Sequence, residues 1–418
     1  MGAFYSEILR KNNVMIVWQI LVLILATVIV FITVFGALYQ VFFALISVFF
    51  CRKRKFTQQP SHFIAILIPA HNESAGLRSV LERCLAVDYP KELYSVTVIA
   101  DNCTDDTAQI ASECGATCLE RFDIESRGKG EALEWAIPQV LENQPDAIMI
   151  LDADCYLDEQ SLKACDFELA KGNHVIQIPY LVSNTDASFR CYCQSLARTV
   201  ENMLFYWPKT KLGLSSFLIG SGMIFHRAIL ERFPWRAGGL NEDFEYCFQL
   251  IKNRVKPVFV GDAGLVSPFP DDTKQFATQR ARWVFGGLKS IWGSVGDLSH
   301  QGIFERNLIA LDAAVTMLYI SRPVVFLQVA LSGIFAIVCF FILPSMWSNL
   351  LFAVWGGTVA LYMIYVLLGV LTLGLTWKRT KFLFLIPLFV LKYLEISLKS
   401  FLVWRPSEWE RTPRNPDH

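Results

Sequence analysis

From Met15 to Phe50 the chain is an almost uninterrupted apolar run, and no water-soluble globule buries a segment of that length. A membrane-spanning helix needs roughly 20 apolar residues. The run therefore holds one tilted span with an interfacial extension, since no polar turn divides it in two. It is too long for a cleaved signal peptide, and no small-residue cleavage site follows it, so it reads as a retained anchor. Arg52-Lys53-Arg54-Lys55 closes the run. Lys and Arg mark the cytoplasmic end of a span, which puts this end inside; Arg10 and Lys11 at the other end oppose it more weakly.

The apolar character returns after Asn307. Val325 to Leu343 and Leu350 to Leu375 read as spans. The loop Pro344 to Asn349 between them has no Lys or Arg and faces outward, whereas Trp377-Lys378-Arg379-Thr380-Lys381 faces inward. In Phe382 to Trp404 the charges Lys392, Glu395 and Lys399 recur at helical spacing, which suits an interfacial or re-entrant helix. Phe276 to Trp292 also reads as an amphipathic helix near the membrane. The expected organisation is a membrane segment at 1–55, a cytoplasmic catalytic domain at 56–300, a transmembrane and interfacial region at 301–404, and a cytoplasmic tail at 405–418. Such a chain is a multi-pass membrane protein, with the plasma (inner) membrane the expected location.

With Lys+Arg 38 against Asp+Glu 38, there is no charge surplus to attract nucleic acid. The 11 cysteines are scattered, and neither Cys191-x-Cys193 nor Cys114-x3-Cys118 has the second pair that a zinc site needs. They read as reduced thiols.

Between Phe63 and Pro270 the pattern is that of a folded α/β domain. Ile64–Ile68, Val96–Ala100 and Ala147–Leu151 are short apolar strands, and Leu77–Leu85, Thr107–Cys114 and Gly130–Leu141 are helical. Strands alternating with helices imply a parallel sheet with crossovers. Ligands bind such sheets beyond the carboxyl ends of the strands, where the polar clusters of this chain fall.

The first strand ends in Pro69-Ala70-His71-Asn72-Glu73-Ser74. Pro cannot continue a central strand, so a turn is expected at Pro69, and the turn either holds a nucleotide base or simply caps a helix. The second strand ends in Asp101-Asn102-Cys103-Thr104-Asp105-Asp106. Asp105 or Asp106 suits an N-cap, while Asp101 suits a ribose or base N–H. Arg127-Gly128-Lys129-Gly130-Glu131-Ala132 opens a helix with a lysine able to reach a phosphate, without Walker spacing. Asp152-Ala153-Asp154 ends the third strand; one carboxylate can face a ligand while the other reaches Mg²⁺ or Mn²⁺. Gly220-Ser221-Gly222 permits close backbone approach to a sugar or an acceptor. Asn241-Glu242-Asp243 starts a helix. Its acids either complement the dipole or supply a general base, with the dipole favouring ionised Asp243. In Gln279-Arg280-Ala281-Arg282-Trp283, Gln279, Arg282 and Trp283 share one helical face, suited to hydroxyls, a diphosphate and a sugar ring.

Taken in this order, the six motifs PAHNES, DNCTDD, RGKGEA, DAD, NED and QRARW resemble the inverting family 2 glycosyltransferases. More narrowly, they resemble the membrane-integrated branch that includes cellulose, hyaluronan and poly-N-acetylglucosamine synthases. The resemblance implies an α/β chain with a GT-A type, Rossmann-like mixed sheet flanked by helices, between N- and C-terminal transmembrane helices. It implies hexosyl or N-acetylhexosaminyl transfer from a nucleotide sugar, UDP-linked, to a growing glycan. Glu73, Asp101, Lys129 and Asp152 would bind the donor. Asp154 would bind Mg²⁺ or Mn²⁺. Asp243 would be the catalytic base with Glu242 beside it, and Gln279, Arg282 and Trp283 would bind the diphosphate and acceptor.

The chain departs from this pattern twice. It has Asn-Glu-Asp where cellulose synthases have Thr-Glu-Asp, and it has fewer C-terminal spans than an exporting polymerase. A polymer synthase in the cell envelope would add accessory export subunits as partners. A single-transfer enzyme acting on a lipid or lipid-linked acceptor is the alternative in the same class. A nucleotidyltransferase and a non-catalytic membrane scaffold are alternatives of other classes.

Overall fold

The structure, a computed structural model, describes residues 2–236, 241–269, 293–342 and 345–386, with isolated positions 388, 391, 392 and 395. Helix α1 (Gly2–Phe50) is one continuous helix. Among the described residues, three helical stretches are long and apolar enough to cross a membrane: Met15–Phe50, Val324–Phe341 and Met346–Leu373. The chain is thus an integral membrane protein. At ~1.5 Å per residue, the 36 residues of Met15–Phe50 run about 54 Å, well past a hydrocarbon core of about 30 Å. The surplus docks on the rest of the fold. Phe43 is buried edge-to-face on Phe205, their centroids 5.6 Å apart, and Ser47 Oγ donates to Met203 O at 2.6 Å.

The central sheet has seven strands in the order β3-β2-β1-β4-β8-β6-β9. These are β1 (Ile64–Ala70), β2 (Tyr94–Asp101), β3 (Thr117–Arg121), β4 (Ala147–Ile150), β6 (Val175–Gln177), β8 (Met223–His226) and β9 (Val258–Phe259). Strands β3, β2, β1 and β4 are parallel, β8 runs antiparallel to both β4 and β6, and β9 is parallel to β6. A small second sheet joins β5 (Tyr156–Leu157), β10 (Leu265–Ser267) and β7 (Tyr180–Val182) in the order β5-β10-β7. The mixed sheet is the expected one, but the expectation named three of its seven strands.

Strand β1 shows why the centre reads as a solid apolar run. Ala65 and Leu67 enter one core and Ile64, Ile66 and Ile68 the other, because alternate side chains leave opposite faces and both faces are covered. Helices α2 (Ser74–Leu85), α3 (Thr107–Glu113) and α5 (Ser161–Ala170) supply Leu77, Leu81, Ala111, Leu162 and Leu169 to the second core. Helices α4 (Lys129–Leu141) and α9 (Glu242–Lys252) supply Leu133, Ile137, Phe248 and Ile251 to the first.

Pro69 corrects one expectation. Strand β1 continues through it, paired with Ile99 of β2. On the other side the β1–β4 ladder has already ended, with Leu151 N–H donated to Leu67 O at 3.0 Å. The N and O of one strand residue project to the same edge, and residues two apart share that edge. The N–H that Pro69 lacks therefore faces the β4 side beyond the ladder's end, so no rung of the ladder is lost.

C-terminal to β10 lie α10 (residues 293–304), α11 (Leu308–Ile320), α12 (Arg322–Ile342) and α13 (Met346–Leu373), then α14 (Trp377–Leu383). Helix α13 starts with a capping box between Ser345 and Ser348. Helix α11 is apolar but too short to span; it adds Ala310, Ala313, Ala314 and Met317 to the first core. It also brings Asp312 within 2.8 Å of Lys209 Nζ, a lysine of α7 (Trp207–Lys211) with 0% exposure. Tyr39 of α1 donates to the other carboxylate oxygen of Asp312 at 2.7 Å.

Each span carries an arginine at the end nearest the α/β unit. After α1, Arg54 pairs with Asp262, its Nε 3.2 and 3.1 Å from the two carboxylate oxygens, and with Glu168 at 2.9 Å. At the head of α12, Arg322 donates to Glu201 Oε2 and Ala197 O, both at 3.0 Å. After α13, Arg379 grips both oxygens of Asp186 at 2.8 Å. The helices expected at Phe276–Trp292 and across most of Phe382–Trp404 lie outside the described residues.

Candidate active site

The carboxyl ends of β2, β1 and β4 lie side by side, ~5 Å apart per strand, and carry three of the motifs. After β1 and β2 the chain turns at Asn72 (φ 55) and Asn102 (φ 49), the left-handed region that Asn tolerates better than most residues. Asn72 Oδ1 accepts from Thr104 N at 2.7 Å, which ties the first turn to the second. Asp105 does more than cap one helix. Its Oδ1 accepts from Thr107 N at 3.0 Å at the start of α3, and its Oδ2 accepts from Ser74 N at 3.1 Å at the start of α2. Asp106, the other candidate cap, stands at the N-cap position without a side-chain bond. Glu73 heads α2, its N–H given to Thr107 Oγ1 at 2.8 Å.

Asp101 is buried at the end of β2. Its Oδ1 accepts from Arg121 Nη1 at 2.7 Å and from Asn102 Nδ2 at 3.0 Å. Burial pushes its pKa up, against the opposing pull of Arg121 and then His71. Arg121 ends β3 and carried no signal in the motif pattern.

The centre of the site lies beyond β4. The N–H of Asp152 is donated to Ser221 Oγ at 3.0 Å, and Gly222 N–H to Ile150 O at 2.8 Å. The 220–222 turn is thereby fixed against the end of β4. Lys129, the first residue of α4, places Nζ 2.5 Å from both Asp152 Oδ1 and Gly220 O. A Cβ built on Gly220 would stand 3.4 Å from Asp243 Oδ2 and 4.0 Å from Lys129 Nζ. Lys129, Asp152, Gly220 and Asp243 thus converge on one space. Gly222 was expected to share that role, but its constraint is packing. A Cβ there would meet Ile178 and Leu265 at 2.6 Å.

Charge in this space is balanced by neighbours. Burial works against the ammonium of Lys129, but Asp152 foremost, with Glu242 and Asp243, raises its pKa. Asp243 is pushed up to about 7, first by burial and then by the adjacent Glu242, with Lys129 opposing. The dipole of α9 was expected to keep Asp243 readily ionised; burial beside a second carboxylate outweighs it.

Asp152, Asp154 and Cys155 offer one ligand atom each within 4.8 Å of one another. Burial holds the Cys155 thiol well above its ordinary range, and hard divalent cations prefer oxygen to sulfur. The two carboxylates leave an oxygen donor set, which suits a hard divalent cation rather than zinc. Gln279, Arg282 and Trp283 lie outside the described residues, as do Gly238 and Gly239 ahead of Asn241.

The sequence pattern of the family described as "Glycosyltransferase like family 2" matches residues 60–286. A beta-monoglucosyldiacylglycerol synthase from Nostoc sp. is 24% identical over 259 residues, covering 58% of this chain and 53% of the relative. The probable glycosyltransferase YdaM of Bacillus subtilis is 23% identical over 238 residues, covering 53% and 54%. The chain thus spans about half the length of the curated relatives it matches. Among solved structures, the mannosyltransferase PcManGT from Pyrobaculum calidifontis, in complex with GDP-Man and Mn²⁺, superposes with a TM-score of 0.57 at 17% identity. The match covers 91% of this chain and 99% of that one. At this identity the likeness is one of fold: a GT-A-like mixed sheet flanked by helices, with apolar helices at both ends.

Proposed function

The chain belongs to glycosyltransferase family 2, and from that premise we propose that it moves a sugar from a nucleoside-diphosphate sugar to a hydroxyl of a membrane-held acceptor, with inversion. The observation that carries the proposal is the convergence of Lys129, Asp152, Gly220 and Asp243 at the carboxyl end of β4. Residues 56–300 form the catalytic unit in this reading. Glu73 and Asp101 face the nucleoside, and Asp152 faces the ribose and diphosphate. Gln279, Arg282 and Trp283 complete the acceptor side.

The chemistry is a single displacement. The acceptor oxygen bonds to the anomeric carbon as the bond from that carbon to the diphosphate breaks, and the acceptor proton passes to Asp243. A base with a pKa of about 7 is matched to proton abstraction near neutral pH. Glu242 keeps that value up, and Lys129 balances the negative charge gathered around it. Asp154, with Asp152, would hold Mg²⁺ or Mn²⁺; such an ion neutralises the departing diphosphate when bound.

UDP is the first nucleotide to test, and GDP the second, since the fold relative PcManGT is named for GDP-Man. A lipid or lipid-linked acceptor is favoured over a soluble one. The relative from Nostoc is named for a glucosyl lipid, and the catalytic unit is bound directly to the three described spans through Arg54, Arg322 and Arg379. The order of the six motifs supports a second reading, a polymer synthase of the cellulose, hyaluronan and poly-N-acetylglucosamine branch serving the cell envelope. The basic inner ends of the spans support a cytoplasmic catalytic unit in the plasma membrane.

The test is purified protein in detergent with a panel of nucleotide sugars and a lipid extract, scored by nucleoside diphosphate released with Mn²⁺ or with EDTA. Diphosphate release that needs metal, with one sugar added per acceptor, is the expected result. A ladder of product lengths selects the polymer reading. Pyrophosphate release, or activity unchanged in Asp243→Asn, rejects the assignment.

A further inference from the structure

Arg121 has no place in the motifs, yet it joins two of them. It is 6% exposed and divides its guanidinium among three partners. Nη1 donates to Asp101 Oδ1 at 2.7 Å, and Nη2 donates to Asp123 Oδ2 at 2.9 Å and to Ser126 O at 2.6 Å. The segment it grips is internally braced. Asp123 Oδ1 accepts from Glu125 N at 3.2 Å and Ser126 N at 3.1 Å. Asn102 closes the ring, its side chain accepting from Asp123 N at 2.8 Å and donating to Asp123 O at 3.0 Å and to Asp101 Oδ1 at 3.0 Å. Three residues after Ser126 comes Lys129. One side chain thus fixes both the carboxylate that ends β2 and the turn that opens α4.

The ring also decides which oxygen of Asp101 remains for a ligand. Oδ1 takes both Arg121 and Asn102, while Oδ2 receives no hydrogen bond from the described residues. An ionised carboxylate is an acceptor only, which suits the ring N–H of uracil or of guanine. We propose that Arg121 is a positioning residue for the donor: it holds Asp101 as the acceptor for a nucleobase N–H and sets the turn that presents Lys129. The inference rests on the reading that Asp101 faces the nucleoside.

The charged and titratable groups facing Asp101 are Arg121 from β3, His71 after β1, Asp123 from the following loop and the Cys103 thiol. His71 Nδ1 and Cys103 Sγ lie 2.7 and 3.8 Å from Asp101 O. Burial and Asp123 disfavour the charged carboxylate, and Arg121 is the strongest group opposing them. Without Arg121 the carboxyl holds its proton to higher pH, and a protonated Asp101 is a poorer acceptor.

The test is calorimetric binding of UDP and of GDP, each with Mn²⁺, to the full-length protein in detergent between pH 6.5 and 8.5, following whichever nucleotide binds wild type more tightly. Arg121→Met is expected to weaken binding about ten- to hundredfold at pH 6.5 and less at pH 8.5, against a flatter wild-type profile. Arg121→Lys keeps the charge but cannot bridge three partners, so it should bind more weakly with a wild-type pH profile. Asp101→Asn should lose affinity equally at every pH. An Arg121→Met protein with wild-type affinity, or with the same loss at every pH, overturns the proposal. If Arg121→Met does not fold, wild-type affinity in Arg121→Lys overturns it instead. Wild-type affinity in Asp101→Asn overturns the nucleoside reading itself, and the inference with it. A loss in Asp101→Asn beside an unaffected Arg121→Met removes only the role of Arg121.

Discussion

Lys129 Nζ sits 2.5 Å from Asp152 Oδ1, so the lysine that opens α4 and the aspartate just past β4 neutralise one another across the candidate site. The same ammonium opposes the rise in the pKa of Asp243. Lys129→Met should therefore move the acidic limb of the pH–rate profile to higher pH, whereas Lys129→Arg should hold it near the wild-type position. Initial rates at saturating donor from pH 5.5 to 9 measure the shift.

With Asp243 as the proposed base, its ionisation should set where that limb falls. With the carboxyl pushed up to about 7, transfer should climb between pH 6 and 8. Asp243→Asn should lower kcat by about 10²- to 10⁴-fold, the scale of general-base catalysis.

The raised pKa has a stability counterpart with a definite sign. An unfolded Asp titrates near 3.9, so native Asp243 binds its proton more tightly than the unfolded chain does. Its contribution to stability is full below about pH 4 and is lost as pH rises to about 7. Asp243→Asn cannot ionise, so its thermal midpoint should gain on wild type between pH 4.5 and 8. A gap that is no wider at pH 8 would show that burial does not disfavour the charge.

Asp105 supports two helix starts at once, through Ser74 N and Thr107 N. Its replacement by Ala should cost about 1–2 kcal/mol, the upper range for a lost cap, and should loosen the turns carrying Glu73 and Asp101. Asp106→Ala, without a side-chain cap to lose, should cost less. Denaturant melts of the two variants side by side decide this.

The buried pair Lys209–Asp312 should behave as buried ion pairs do. Lys209→Met alone should destabilise by about 3–5 kcal/mol, because it strands a carboxylate, while Lys209→Met with Asp312→Leu should restore most of the loss. A double-mutant cycle on thermal unfolding in detergent measures the coupling.

Several of these features were legible before any coordinates. The apolar strands ending in Asp101 and Asp152 and the Gly-flanked lysine at the head of a helix needed only periodicity and turn chemistry. The long anchor was as plain. What stayed hidden depends on long-range pairing. Strand β3, Thr-Cys-Leu-Glu-Arg, lies at the sheet's edge and is half polar, so nothing in its composition separates it from a loop. Arg121 gains meaning only when β3 pairs beside β2. Pro69 points away from a strand, yet β1 runs through it because the ladder on its bare side is short. The raised pKa of Asp243 is hidden in the sequence for a similar reason. A helix start is local and readable, while burial beside Lys129 and Gly220 comes from residues more than twenty positions away.

The arginines after α1, before α12 and after α13 bear on how such a chain is made. Each is a charge of the kind that orients a span during insertion, and each ends in an ion pair with Asp262, Glu201 or Asp186. A span threaded the wrong way would leave its arginine across the bilayer from its acidic partner. Correct insertion is then a precondition for closing the fold, and a misoriented chain reveals itself by an unpaired acid on a domain that cannot seat.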